Sequence, residues 1–151
     1  MSTKTKTPVY RAATPVEAAF NHVMGFLAGL GIGPSFIYLL QVRGRKTGRI
    51  HSAPVNLMDM GGKRFLVAPR GRTQWVRNAE AAGEVTLKRG SKRQNYRLIP
   101  IAEAEKPEIL KTYLDRYASA VQKFFPIPAG SELNAFRGIA ANYPMFELVA
   151  S

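Results

Sequence analysis

Between residues 43 and 49 the chain reads Arg-Gly-Arg-Lys-Thr-Gly-Arg, which puts four cations and a hydroxyl around two glycines. Glycine permits a tight backbone path, so Arg43, Arg45, Lys46, Arg49 and the Thr47 hydroxyl can close on an anion such as a phosphate. The glycine spacing and the absence of a helix after it exclude a Walker loop. A charged hairpin end held in water would have the same composition. A second cluster spans Ala68-Pro69-Arg70-Gly71-Arg72-Thr73-Gln74-Trp75-Val76-Arg77-Asn78, where a strand runs through a basic loop into a helix that opens at Gln74. Backbone N–H groups at a helix start attract anions, and Arg70 and Arg72 would reinforce them. Trp75, the one tryptophan, offers a flat wall for a planar ring or a plug for a core. Asn78, one helical turn later, can hold a loop through its amide.

The remaining chemistry is thin. There are no cysteines, which removes disulfides, thiolate metal sites and a thiol nucleophile, and fits a reducing compartment. His22 and His51 are the two histidines, too few for a histidine metal site, and no metal is expected. The acidic residues are scattered, so neither a carboxylate pair nor a Ser/His/Asp order is visible. Tyr113 and Tyr117 share a helical face and read as core, with a proton-donating role open to one of them. Charge is more telling. Of the net +12, residues 43–97 carry +11, with fourteen Lys/Arg against Asp59, Glu80 and Glu84. Such a field gathers anionic ligands, whether a phosphorylated cofactor, a lipid surface or nucleic acid.

The elements that must position these groups follow from period and breakers. At 151 residues with 46% hydrophobic content, the chain suits one core. Residues 1–13 read as a disordered tail and 14–151 as a single domain. A helix is expected over 14–30, from a Thr14-Pro15-Val16-Glu17 capping box to the glycines at 31 and 33. Strands are expected over 36–42, 50–58, 63–68, 84–88, 93–101 and 145–149, and helices over 74–82, 105–124 and 133–141. Six short strands with tight turns indicate a mainly β (α+β) fold, an antiparallel barrel-like sheet with flanking helices. The run 18–42 has no charged residue, yet its glycines, proline, Asn21 and His22 argue against a bilayer span. The start has no signal-peptide order, so a cytoplasmic location is expected, with peripheral membrane contact through the first helix open.

The residues Leu39-Leu40-Gln41-Val42-Arg43-Gly44-Arg45-Lys46-Thr47-Gly48, Ala53-Pro54-Val55, Ala68-Pro69-Arg70-Gly71 and Trp75-Val76-Arg77-Asn78 resemble the deazaflavin-dependent nitroreductase and quinone reductase family. The similarity covers residues 36–101, with an echo at Tyr143-Pro144-Met145-Phe146. The resemblance implies a split β-barrel and coenzyme F420, with FMN as the alternative cofactor. It also implies hydride transfer to a small hydrophobic acceptor, a quinone, activated alkene or nitro compound. A non-catalytic lipid-binding member is the alternative. By that resemblance Arg45, Lys46 and Thr47 hold the phosphate and acidic tail, and Pro54, Val55 and Asn56 line the ring slot. Ala68, Pro69, Arg70 and Gly71 contact the ring or linker by backbone, while Gln74, Trp75 and Asn78 shape the pocket around them. Relatives commonly carry a serine where this chain has Pro69, so the catalytic proton donor is unassigned. A monomer or homodimer with no specific nucleic-acid partner is expected.

Overall fold

The computed structural model describes residues 22–24, 27, 30 and 34–151. The expected tail over 1–13, and most of the expected first helix, lie outside the described residues. His22, Val23, Met24 and Leu27 are helical, and His22 is exposed.

Six strands form one closed antiparallel barrel: β1 (Ile37–Arg43), β2 (Ile50–Met60), β3 (Lys63–Val67), β4 (Glu84–Arg89), β5 (Lys92–Ile99) and β6 (Met145–Ala150). Around the barrel the order is β1-β2-β3-β6-β5-β4. Alternation sorts the side chains. Leu40, Val42, Val55, Leu57, Leu66, Val85, Leu87, Tyr96 and Leu148 fill the interior, which Ala79 of helix α1 (Gln74–Ala82) closes at one end. Outward-facing Met58, Phe65, Val67 and Met145 pack against α2 (Lys106–Val121), Phe125, Tyr143 and Phe136 of α3 (Leu133–Arg137). Burying these two apolar layers is the main driving force, at about 25 cal/mol per Å² of apolar surface.

Boundaries move where a local rule wins. β5 stops at Ile99 rather than 101, since Pro100 has no N–H to give the ladder. β2 and β3 run to a two-residue turn at Gly61 and Gly62, both at positive φ as a tight hairpin requires. The helix expected over 105–124 ends at Val121, continues as a 3-10 turn over Gln122–Phe124, and has a non-helical residue at Tyr117. Pro126 explains the exit, because the residue before a proline is pushed to the extended region that Phe125 occupies. The helix expected over 133–141 is cut at Arg137 by Gly138, and a 3-10 turn follows at Ala140–Asn142.

One feature of the barrel matters for the site. β2 changes partner along its length: residues 50–56 pair with β1, and only 57–60 pair with β3. β3 is short, and its pairing with β2 begins at Leu57 opposite Leu66. Continuing that register would set Val67 beside Asn56, but β3 parts from β2 there while staying on β6, with Val67 opposite Met145 and the Ala68 N–H on the Pro144 carbonyl. Residues 50–56 of β2 therefore have no β3 partner on their outer edge, which is how Pro54 is tolerated inside a strand.

Candidate functional site

The basic turn between β1 and β2 is built by its glycines. The Gly44 N–H donates to the Arg49 carbonyl at 2.7 Å, and the Gly48 N–H to the Gly44 carbonyl at 3.0 Å. Gly48 sits at φ +78°, where a side chain would be strained. Gly44 is buried against His51, and a methyl group there would come within 2.7 Å of His51 Nε2. The Thr47 hydroxyl accepts the Arg49 N–H at 3.2 Å, while Arg45, Lys46 and Thr47 stay exposed at the tip.

Arg45 ties this turn to α1. Asn78 is 2% exposed, and its Oδ1 accepts both the Arg45 N–H at 3.1 Å and Arg45 Nη1 at 2.7 Å. Gln74, one turn earlier on the same helix face, accepts Arg45 Nη1 at 3.0 Å. Two basic segments 29 to 33 residues apart in sequence thus become one cationic surface. Trp75 turns toward the barrel end, with its ring 6.3 Å from that of Phe146. Beside α1 lies an open concavity of about 560 Å³ lined by Arg45, Arg72, Arg77, Glu80 and Ala81.

Several expected roles change. Arg70 and Arg72 do not converge on the helix start: the Arg70 guanidinium lies over the Phe124 ring at 5.1 Å, and Arg72 pairs with Glu80. The cation–π contact and the ion pair draw the two side chains apart. Pro54, Val55 and Asn56 cannot line one slot together. Neighbouring strand residues face opposite ways, so Val55 points into the barrel core and only its backbone can reach a ligand on the other face. Backbone contact from 68–71 is also narrower than expected. The Ala68 N–H is given to the Pro144 carbonyl and the Gly71 N–H to the Ala68 carbonyl, and Pro69 has none.

On the outer face, Asn56 Nδ2 donates to the Tyr113 hydroxyl at 3.2 Å, and the Tyr117 hydroxyl donates to the Leu57 carbonyl at 3.3 Å. Burial pushes both phenols above their usual value, most strongly Tyr113, with the Asn56 bond opposing weakly. Both are therefore neutral hydroxyls packed in the core near neutral pH.

Gln41 and Arg77 stand inside the motifs named above with no role of their own in them, and Glu80 stands outside those motifs. Gln41 Oε1 and the Thr73 hydroxyl are buried with no hydrogen-bond partner among the described residues. Thr73 stands at the N-cap of α1 without capping it, and the outward-facing Gln41 lies between Ser52 and Thr86 in the ladder. A lone amide in the otherwise apolar run 36–42 was the available signal. Buried polar atoms normally find partners, so two near α1 and the basic turn fit a ligand with hydroxyl and phosphate groups. Among the described residues no acidic or histidine cluster could hold a metal ion, and no helix is long and apolar enough to cross a membrane.

A family model described as F420H(2)-dependent quinone reductase matches residues 18–124, which takes in the basic turn, the split in the wall and α1. The chain belongs to that family. The family's description names reduced coenzyme F420, and strands β1 to β5 of the barrel, with the basic turn, lie within the matched residues. No curated protein matches the chain. Among solved structures it is similar to a protein of unknown function from Agrobacterium tumefaciens, at 20% identity and TM-score 0.53 over 92% of this chain and 56% of that one. The chain thus spans little more than half of that protein's length. A chain described as a domain-swapped dimer matches at 17% identity and TM-score 0.54, over 90% of this chain and 100% of that one. A putative pyridoxamine 5'-phosphate oxidase from Listeria innocua matches at 10% identity and TM-score 0.52, over 77% and 84% of the two chains. At these identities the likeness is one of fold.

Proposed function

We propose that this F420H(2)-dependent quinone reductase family member reduces a small hydrophobic acceptor, a quinone, activated alkene or nitro compound. The observation that carries the reading is the Asn78 clamp, which fixes Arg45 at the junction of the basic turn and α1. When bound, reduced F420 supplies a hydride. Arg45 and Lys46 hold the phosphodiester and acidic tail by charge-assisted hydrogen bonds, with Thr47 turning its hydroxyl to the same group. The Thr73 hydroxyl and the first N–H groups of α1 offer further donors to an anion. Pro54, Asn56 and the backbone of Val55 line the ring slot at the split in the wall. They lie about 13 Å along β2 from the basic turn, at roughly 3.3 Å per residue, so an elongated ligand is required. Gly71 and its neighbours border the slot, and Trp75 closes its barrel side. Holding the ring and acceptor together and excluding water is the protein's contribution to rate. Pro69 has no hydroxyl, so that position supplies no proton to complete the reduction.

The test is oxidation of the reduced coenzyme on adding menadione, followed by recovery of deazaflavin fluorescence, with FMN run in parallel. Turnover with F420 and none with FMN is expected; FMN turnover alone would overturn the cofactor assignment for this chain.

A second reading has its own observation. Val23 and Leu30 are 55% and 53% exposed, which suits peripheral contact of the first helix with a bilayer, as in a lipid-binding member. Flotation with anionic liposomes should be lost in Val23→Glu/Leu30→Glu; equal flotation of both proteins would remove this reading. The likeness to a domain-swapped dimer supports a homodimer over a monomer, which light scattering decides.

A further inference from the structure

The open concavity beside α1 holds three guanidinium groups and one carboxylate. Arg45 reaches it from the β1–β2 turn, Arg72 from the loop before α1, and Arg77 and Glu80 from one face of α1. These positions are organised. Arg45 is held by Gln74 and Asn78, Arg77 Nε donates to the Arg72 carbonyl at 3.2 Å, and Arg72 is paired with Glu80. Guanidinium forks match carboxylates and phosphates two bonds at a time. An apolar acceptor gains nothing from such walls, so the occupant is anionic.

The acid in the middle is the informative residue. Arg72 and Glu80 have side chains 51% and 37% exposed, and an exposed pair of this kind contributes little and exchanges readily. A single incoming carboxylate would trade places with Glu80 on Arg72, one ion pair for another, and still lose its own freedom. A chain bearing several carboxylates fares differently, because the first exchange brings the next groups to Arg45 and Arg77 at high local concentration.

Resting on the cofactor reading above, we propose that Glu80 is a built-in competitor for the acidic tail of F420. It occupies Arg72 until the tail displaces it, and so lowers the affinity of any tail that draws on Arg72. The carboxylate thus sets how tightly the tail is held, separate from the ring slot.

The probe is a γ-linked tetraglutamate, titrated calorimetrically into the full chain at low salt beside monomeric glutamate at equal carboxylate concentration. Tetraglutamate should bind and glutamate should not. Glu80→Gln should tighten tetraglutamate about two- to fivefold, the worth of an exposed ion pair, and Arg77→Gln should weaken it by a similar or larger factor. Glu132→Gln, on the segment before α3, is the control for net charge and should change nothing. An unchanged affinity in Glu80→Gln, an equal gain in Glu132→Gln, or no tetraglutamate binding by the unmodified chain would overturn the proposal. Coenzyme stripped of its tail, followed by fluorescence, separates the two readings. If it binds the chain while tetraglutamate does not, the tail proposal alone falls. If neither tailed nor tail-free coenzyme binds, the site assignment falls, and the tetraglutamate titration still decides the role of Glu80.

Discussion

Replacing Asn78 by alanine should loosen the junction on which the site depends. One buried oxygen accepts two bonds from Arg45, one from a backbone N–H and one from a guanidinium. A neutral bond contributes about 0.5–1.5 kcal/mol and one to a charged group about 1.5–3 kcal/mol. Arg45 is exposed enough to recover part of that from water, which leaves a loss of about 2–3 kcal/mol. With a urea dependence of about 1–3 kcal/mol per molar for a domain of this class, the unfolding midpoint should fall by about 1 M. Coenzyme affinity should fall with it, because Arg45 no longer has a fixed direction. Asn78→Asp makes the reasoning sharper. The carboxylate keeps the acceptor and should restore most of the stability, yet it neutralises Arg45, so anion affinity should drop further than in Asn78→Ala. Urea denaturation and fluorescence titration of the three proteins read both quantities. An Asn78→Ala protein that unfolds with the unmodified chain and binds coenzyme equally well would refute the clamp.

The two glycines of the basic turn should fail for different reasons. Gly48→Ala meets open space and costs only the backbone strain of its positive φ, about 1–2 kcal/mol, whatever its neighbours. Gly44→Ala strikes the His51 ring, so its destabilisation should shrink when His51→Ala is added, apart from the 3.1 Å contact with the Arg49 carbonyl. Chemical denaturation of the double-mutant cycle checks this. The buried tyrosines set an alkaline limit. Their folded values lie above an unfolded value of about 10, so the stability they contribute is complete below that pH and is lost as pH rises above it. Thermal melts should be flat in this respect from pH 7 to about 9.5 and decline beyond it, less steeply in Tyr113→Phe.

Much of the barrel could be read from the sequence because its signals are local. β-Branched and aromatic runs between turn residues marked all six strands, and the helix at Gln74–Ala82 has the expected ends because a polar start and Gly83 bound it. Pro100, Pro126 and Gly138 trim other elements by rules visible in the sequence. Ring closure was not local: β3 meets β6 across about eighty residues, and no pattern within either strand names that partner. The same holds for the site. Its cations and glycines were plain, while the clamp from Asn78 to Arg45, the Arg72–Glu80 pair and the unpartnered Gln41 Oε1 exist only once the elements are packed. The Val55 side chain lies away from the outer face for a simpler reason. Three consecutive residues were assigned to one wall, and a strand presents alternate residues to opposite sides.

The most direct trial of the whole account is an equilibrium titration of oxidised F420, followed by its fluorescence, against the unmodified chain and Arg45→Ala/Lys46→Ala. The account requires saturable binding to the first, and an affinity at least about tenfold weaker in the second, since each lost charged bond is worth about 1.5–3 kcal/mol before solvent screening. Equal affinity in both proteins would show that the basic turn does not hold the coenzyme.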